Sequence, residues 1–138
     1  MNEPANHPSL PAASADGLAG AFFAWHDAGE LRFQRCTECG RWNHPPGTTC
    51  PSCGSESLEW TPVGGTGTIV SWTRTHYAFA PPFAADGPYV ALVVAVDEGP
   101  QMVSMLRGGD EPRCGGRVRV EFEARADGRR VAVFVAAE

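Results

Sequence analysis

The second half of the chain is written in short apolar bursts. Five stretches, GTIVSWTRT (67–75), YVALVVAVD (89–97), QMVSMLR (101–107), RVRVEFE (117–123) and RRVAVFVA (129–136), are rich in β-branched and aromatic residues and bounded by Gly, Pro or Asp. The pattern predicts five strands. Glu98-Gly99-Pro100 is a tight connection, and Asp127-Gly128 is the dipeptide a two-residue type I′ hairpin prefers. With that loop, Ala124 would face Val131, Phe122 would face Val133 and Val120 would face Val135, gathering the apolar residues on one face. Five short antiparallel strands with one half-buried face predict a small barrel, for which the OB-fold is the five-stranded candidate. The other face would set Arg125 across from Arg130, beside Arg117, Arg119, Glu121 and Glu123. Opposed like charges destabilise a sheet unless something negative lies between them. Glu123, a ligand phosphate or an acidic partner would serve, and solvent screening at the hairpin tip is the simpler account.

The first half patterns differently. Residues 1–15 are rich in Pro, Ala, Ser and Asn with little beyond Leu10 to bury, which predicts a disordered leader. Leu18, Phe22 and Trp25 then fall within about 60° of one another at ~100° per residue, and Gly29 stands where a helix would stop. A short amphipathic helix is expected over 16–29. Phe23 lies off that stripe, so it either packs on the segment that follows or meets a second protein.

Residues 30–60 carry neither period. They hold RCTECGRWNHPPGTTCPSCG (35–54), in which Cys36, Cys39, Cys50 and Cys53 form two CxxC pairs. A structural zinc ion takes four tetrahedral ligands, and four thiolates supply them with no position left open for chemistry. Gly40 and Gly54 follow the two pairs, where a residue without Cβ lets the backbone fold back and aim N–H groups at sulfur. Pro45-Pro46-Gly47 marks a turn between two short arms, with no room for a ligand-bearing helix. The reading is a zinc ribbon of two knuckles. A redox CxxC would open a helix beside a βαβ unit, and His44 is not needed once four Cys complete the shell. So short a stretch buries too little to hold itself, whereas structural zinc contributes on the order of 10 kcal/mol in isolated peptides. The metal is expected to stiffen a platform, not to catalyse.

Composition narrows the partners. The 138 residues are 43% hydrophobic and 20% charged, with a net charge of -5 and 11 basic residues, all Arg. An acidic chain is poorly suited to broad electrostatic binding of nucleic acid. No apolar run approaches the roughly 20 residues of a membrane span, and the start lacks the basic and apolar regions of a signal peptide. The expected compartment is the cytoplasm, where paired thiols more often hold metal than form disulfides. Between the first two predicted strands, residues 76–88 are long for a hairpin connection. His76, Tyr77, Phe79 and Phe83 put large rings there, either folded over the barrel or offered to a partner or ligand.

The ordered set GELRFQRCTECG, Pro45-Pro46, CPSCGS, LEW (58–60), GTIVSW (67–72), His76, Pro88-Tyr89 and EGP (98–100) resembles the DUF35 family from Phe22 to Phe134. That resemblance implies an N-terminal helix, a rubredoxin-like zinc ribbon and an OB-fold, in a chain that is mainly β. It also implies an accessory subunit of a thiolase-like enzyme, completing a condensing, thiolytic, acyl-transfer or retro-aldol complex, with coenzyme A thioester as the ligand of the assembly. The partner would bring the reactive Cys and His. Candidate contacts with that partner or with acyl-CoA are Phe23, His76, Tyr77, Phe79, Phe83, Tyr89, Arg117, Arg119, Arg125 and Arg130, the arginines for CoA phosphates.

No catalytic residue is assigned to this chain. Cys114, the one thiol outside the ribbon, has no adjacent His or helix N-terminus to activate it. Two other functions compete with the accessory subunit. Zinc ribbons and OB barrels bind single-stranded nucleic acid elsewhere, although here Arg alternates with Glu and not with stacking rings. A free-standing CoA-thioester enzyme would have to turn over with no partner.

Overall fold

The computed structural model describes residues 16–76, 88–109, 111–126 and 128–137. The expected leader and the rings of Tyr77, Phe79 and Phe83 lie outside them.

Helix α1 spans Gly17–Asp27. Its end is a Schellman motif: the Gly29 N–H donates to the His26 carbonyl, the Glu30 N–H donates to the Trp25 carbonyl, and Gly29 sits at φ 78°. The buried face is not the expected stripe. Phe22 and His26, one turn apart, point inward, while Leu18 is 38% exposed and Trp25 lies under the Arg32 guanidinium at 4.1 Å. The helix is rotated because it serves two neighbours. Phe22 meets Phe33 and Trp60 of the ribbon, and His26 meets Phe122 and Ala132 of the barrel.

The ribbon is a three-stranded antiparallel sheet of β1 (Arg32–Cys36), β2 (Trp42–Asn43) and β3 (Leu58–Pro62), with β1 in the middle. The two arms expected between the Cys pairs are replaced by a wider arrangement. β1 leads into the first knuckle, β2 leaves it, and β3 returns after the second knuckle to pair along all of β1.

Five strands form a closed barrel in the order β4-β5-β6-β8-β7: β4 (Thr66–Thr75), β5 (Tyr89–Val96), β6 (Gln101–Arg107), β7 (Arg117–Ala124) and β8 (Arg130–Ala136). β7 returns to β4 and closes the circuit. The β6/β8 pair is parallel and registers only Leu106 with Phe134 and Arg107 with Val135. This is the expected OB-like architecture.

The last hairpin departs from the expected register by one residue. Ala124 faces Arg130, Phe122 faces Ala132 and Val120 faces Phe134. Its loop has three residues: the Arg125 N–H donates to the Arg129 carbonyl, the Gly128 N–H donates to the Arg125 carbonyl, and Gly128 takes φ 83°. That is the three-residue hairpin in which Gly occupies the left-handed position. A one-residue slip changes every face, so the apolar residues are split between the two sides and Arg125 is not opposed to Arg130.

One core runs through all three parts. Phe22, Leu31 and Phe33 join Ile69, Leu92, Val94, Met102, Val118 and Phe134 in a single cluster. Phe33 and Phe134 are fully buried, each contributing about 2–3 kcal/mol by leaving water. Among the described residues no helix is long and apolar enough to cross a membrane.

Candidate functional site

The four ribbon sulfurs converge. The Sγ atoms of Cys36, Cys39, Cys50 and Cys53 lie within 4.8 Å of one another, with Cys36–Cys53 at 3.6 Å and Cys39–Cys50 at 3.5 Å. Four thiolates bound to zinc at about 2.3 Å stand about 3.8 Å apart, so the cluster has the dimensions of a zinc tetrahedron.

The two knuckles are built alike. In the first, the Gly40 N–H donates to the Cys36 carbonyl and the Cys36 N–H to the Arg41 carbonyl. In the second, the Gly54 N–H donates to the Cys50 carbonyl and the Cys50 N–H to the Ser55 carbonyl. Gly40 and Gly54 take φ 79° and 78°. The Cys39 N–H points at the Cys36 sulfur at 3.5 Å. This contact, with help from the Glu38 N–H and against burial, lowers the Cys36 thiol from near 9 to about 6. Cys53 is the opposite case: the Ser55 N–H pulls its thiol down, but the Cys36 sulfur and burial outweigh it and push the thiol up to about 12. Four sulfurs this close cannot all be thiolates side by side, and a divalent cation at their centre removes that conflict.

Gln34 fixes the turn between the knuckles, a role the sequence did not disclose. Its amide is 4% exposed, donates to the Gly47 carbonyl at 3.0 Å, and accepts from the Gly47 N–H at 2.9 Å and from Asn43 Nδ2 at 3.1 Å. His44, which follows Asn43, stacks among Phe22 and Phe33 and is not part of the sulfur cluster.

The other candidates are dispersed. His76 is exposed just past β4, and Tyr89 opens β5 half-buried. Phe23 packs edge-on against Phe22 and His26 and lines a cleft beside the helix, as does Arg125. The remaining arginines are engaged. Arg117 makes two bonds to the Asp97 carboxylate, at 2.7 and 2.8 Å, and Arg119 reaches Glu121 at 2.6 Å. Arg117 holds the Asp97 carboxyl well below the usual carboxylate range. Arg130 reaches the Asp27 carbonyl and lies over Phe122.

Glu123, which the sequence offered as a negative group beside Arg125, does pair with it, but its place in RVRVEFE gave no sign of burial. It is fully buried, with Arg107 bidentate at 2.8 and 2.9 Å and Arg125 Nε at 3.0 Å. Arg125 and Arg129, which the true register brings opposite, each turn to a separate carboxylate, Glu123 and Asp27.

Comparison with known proteins agrees with this architecture. The ChsH2 rubredoxin-like zinc ribbon domain matches residues 27–59, and the ChsH2 C-terminal OB-fold domain matches residues 60–123. In sequence the chain is similar to the benzoylsuccinyl-CoA thiolase subunit BbsA of Thauera aromatica, 27% identical over 124 residues, covering 89% of this chain and 78% of that one. It is also similar to the probable enoyl-CoA hydratase alpha subunit of Thermomonospora curvata, 37% identical over 87 residues, which are 61% of this chain and only 27% of that protein. A DUF35 protein of unknown function from Sulfolobus solfataricus shares the fold, with a TM-score of 0.61 at 12% identity over 87% of this chain and 85% of that one. A chain of the Ltp2-ChsH2(DUF35) aldolase superimposes with a TM-score of 0.80 at 30% identity, over 94% of this chain and 100% of that one. Because that alignment spans 94% of this chain at 30% identity, and the ribbon and barrel each match a ChsH2 domain, the chain belongs to the DUF35 family.

Proposed function

We propose that this chain is an accessory subunit that holds a structural zinc ion on Cys36, Cys39, Cys50 and Cys53, assembles with a thiolase-like enzyme and helps form its acyl-CoA site. The observation that carries the proposal is the match over the whole length of a chain from an aldolase assembly. The name of the Thauera relative, a subunit of a CoA-thioester thiolase, points the same way. The metal stiffens the ribbon, and the chemistry belongs to the partner.

The proposed contacts with partner or CoA are Phe23, His76, Tyr77, Phe79, Phe83 and Tyr89, with Arg117, Arg119, Arg125 and Arg130. A CoA phosphate reaching Arg117 would exchange with the carboxylate of Asp97, which charge-assisted bonding makes feasible at an exposed pair.

Co-expression with a thiolase-like protein, followed by size exclusion with light scattering and metal analysis, tests the proposal. The expected result is a stable heteromer with one zinc per copy of this chain. A metal-free monomer that ignores every such enzyme overturns it.

A further inference from the structure

Between α1, the 44–46 turn and strands β5, β6 and β8 lies a cleft of about 650 Å³. That is the size of a small-molecule site, and its lining, mostly apolar with a few polar groups, has the usual character of one. Phe22, Phe23, Met105, Val131 and Val133 form its walls, and Val103, 74% exposed, lines it too.

His26 lines the same cleft and is fully buried. Its Nδ1 accepts a hydrogen bond from the Ala132 N–H at 3.2 Å. Burial keeps the ring neutral, lowering its pKa from 6.5 to about 4. A neutral imidazole that accepts at Nδ1 carries its proton on Nε2. Nε2 is buried and has no hydrogen-bond partner among the described residues, which ordinarily costs ~1–3 kcal/mol. A donor left in this state calls for an acceptor from outside. The acceptor would be uncharged, because an anion in the cleft would meet mostly apolar walls.

We propose that this cleft binds an uncharged alkyl or acyl group whose carbonyl oxygen accepts the hydrogen bond of His26 Nε2. The site is made of this chain's residues alone and does not rest on assembly with a thiolase-like partner.

The test uses the full chain with the neutral fluorescent probe N-phenylnaphthylamine, displaced by methyl nonyl ketone or by decyl chloride, which matches it in length but is a poor acceptor. The ketone is expected to displace the probe about tenfold more tightly, the worth of one hydrogen bond in a dry site. His26→Phe should erase that preference while the probe still binds. Should His26→Phe fail to fold, Val103→Glu, at an exposed position, should weaken both probe and ketone by about tenfold in a chain with unchanged circular dichroism. No saturable displacement by the ketone, equal displacement by the two compounds, or binding indifferent to Val103→Glu overturns the proposal.

Discussion

The ribbon buries Leu31, Phe33 and the side chains of Cys36 and Cys50, whereas the barrel buries Ile69, Leu92, Val94, Val96, Met102, Leu106, Val118, Val133 and Phe134. A ribbon strand such as β2 has two residues, while the barrel strands have seven to ten. The two regions are therefore held by different forces. Apolar area removed from water suffices for the barrel, but the ribbon needs its sulfur cluster. In both, polar groups sit at the centre of the packing: Gln34 in the ribbon, Glu123 with Arg107 and Arg125 in the barrel. They define which geometry is adopted more than how much stability is gained.

The sharpest way to separate the regions is to remove one of the proposed zinc ligands. Cys36→Ser is expected to unfold the ribbon while the barrel stays protected. Native-state hydrogen exchange would then show the amides of β1 and β3 exchanging at nearly unprotected rates and those of β5 and β6 little changed. Equal loss in both regions would show that the shared core around Phe22 and Phe33 ties them into one cooperative unit.

Glu123→Ala attacks the barrel in turn. It leaves the buried guanidinium groups of Arg107 and Arg125 without their carboxylate, and breaking a buried charge pair costs about 3–5 kcal/mol. The denaturation midpoint in urea should fall accordingly, with zinc content unchanged. Replacing all three charges by apolar residues of similar volume should recover most of the loss.

The smallest effect is titration at the junction. Histidine is near 6.5 when unfolded and His26 is held at about 4 by burial when folded. Between those values the unfolded chain takes up a proton that the folded chain refuses. The contribution is fully present above about pH 6.5 and is lost as pH falls toward 4, on the order of 3 kcal/mol in all. Because thiolates also release metal in acid, the measurement is the difference in urea stability between wild type and His26→Phe at pH 7 and at pH 4.5. The wild type should lose stability relative to His26→Phe at the lower pH.

What was legible in the sequence follows from how local each signal is. The CxxC spacing and the bounded β-branched runs are short-range, so the knuckles and all five barrel strands could be placed from the residues alone. The last hairpin was misread because Asp127-Gly128 fits two loop lengths, and Gly128 at φ 83° suits the left-handed position of the longer one. The inward face of α1 was misread because a helix wedged between two modules obeys both, and a buried histidine counts as polar in any periodicity. Gln34, and the burial of Glu123, were invisible for a related reason. Gln34 finds its Gly47 partner 13 residues away and Glu123 its bidentate partner Arg107 16 residues away, and nothing in the local pattern marks a buried polar side chain as satisfied.

The junction also protects the molecule from itself. Ala132 on β8 gives its N–H to His26 and its carbonyl to the Ser104 hydroxyl, the two groups through which a foreign strand would zip onto a sheet. The helix thus acts as a stopper on a β-margin that β6 covers only in part, and a chain shorn of its first 28 residues would offer that margin as a template for runaway self-association.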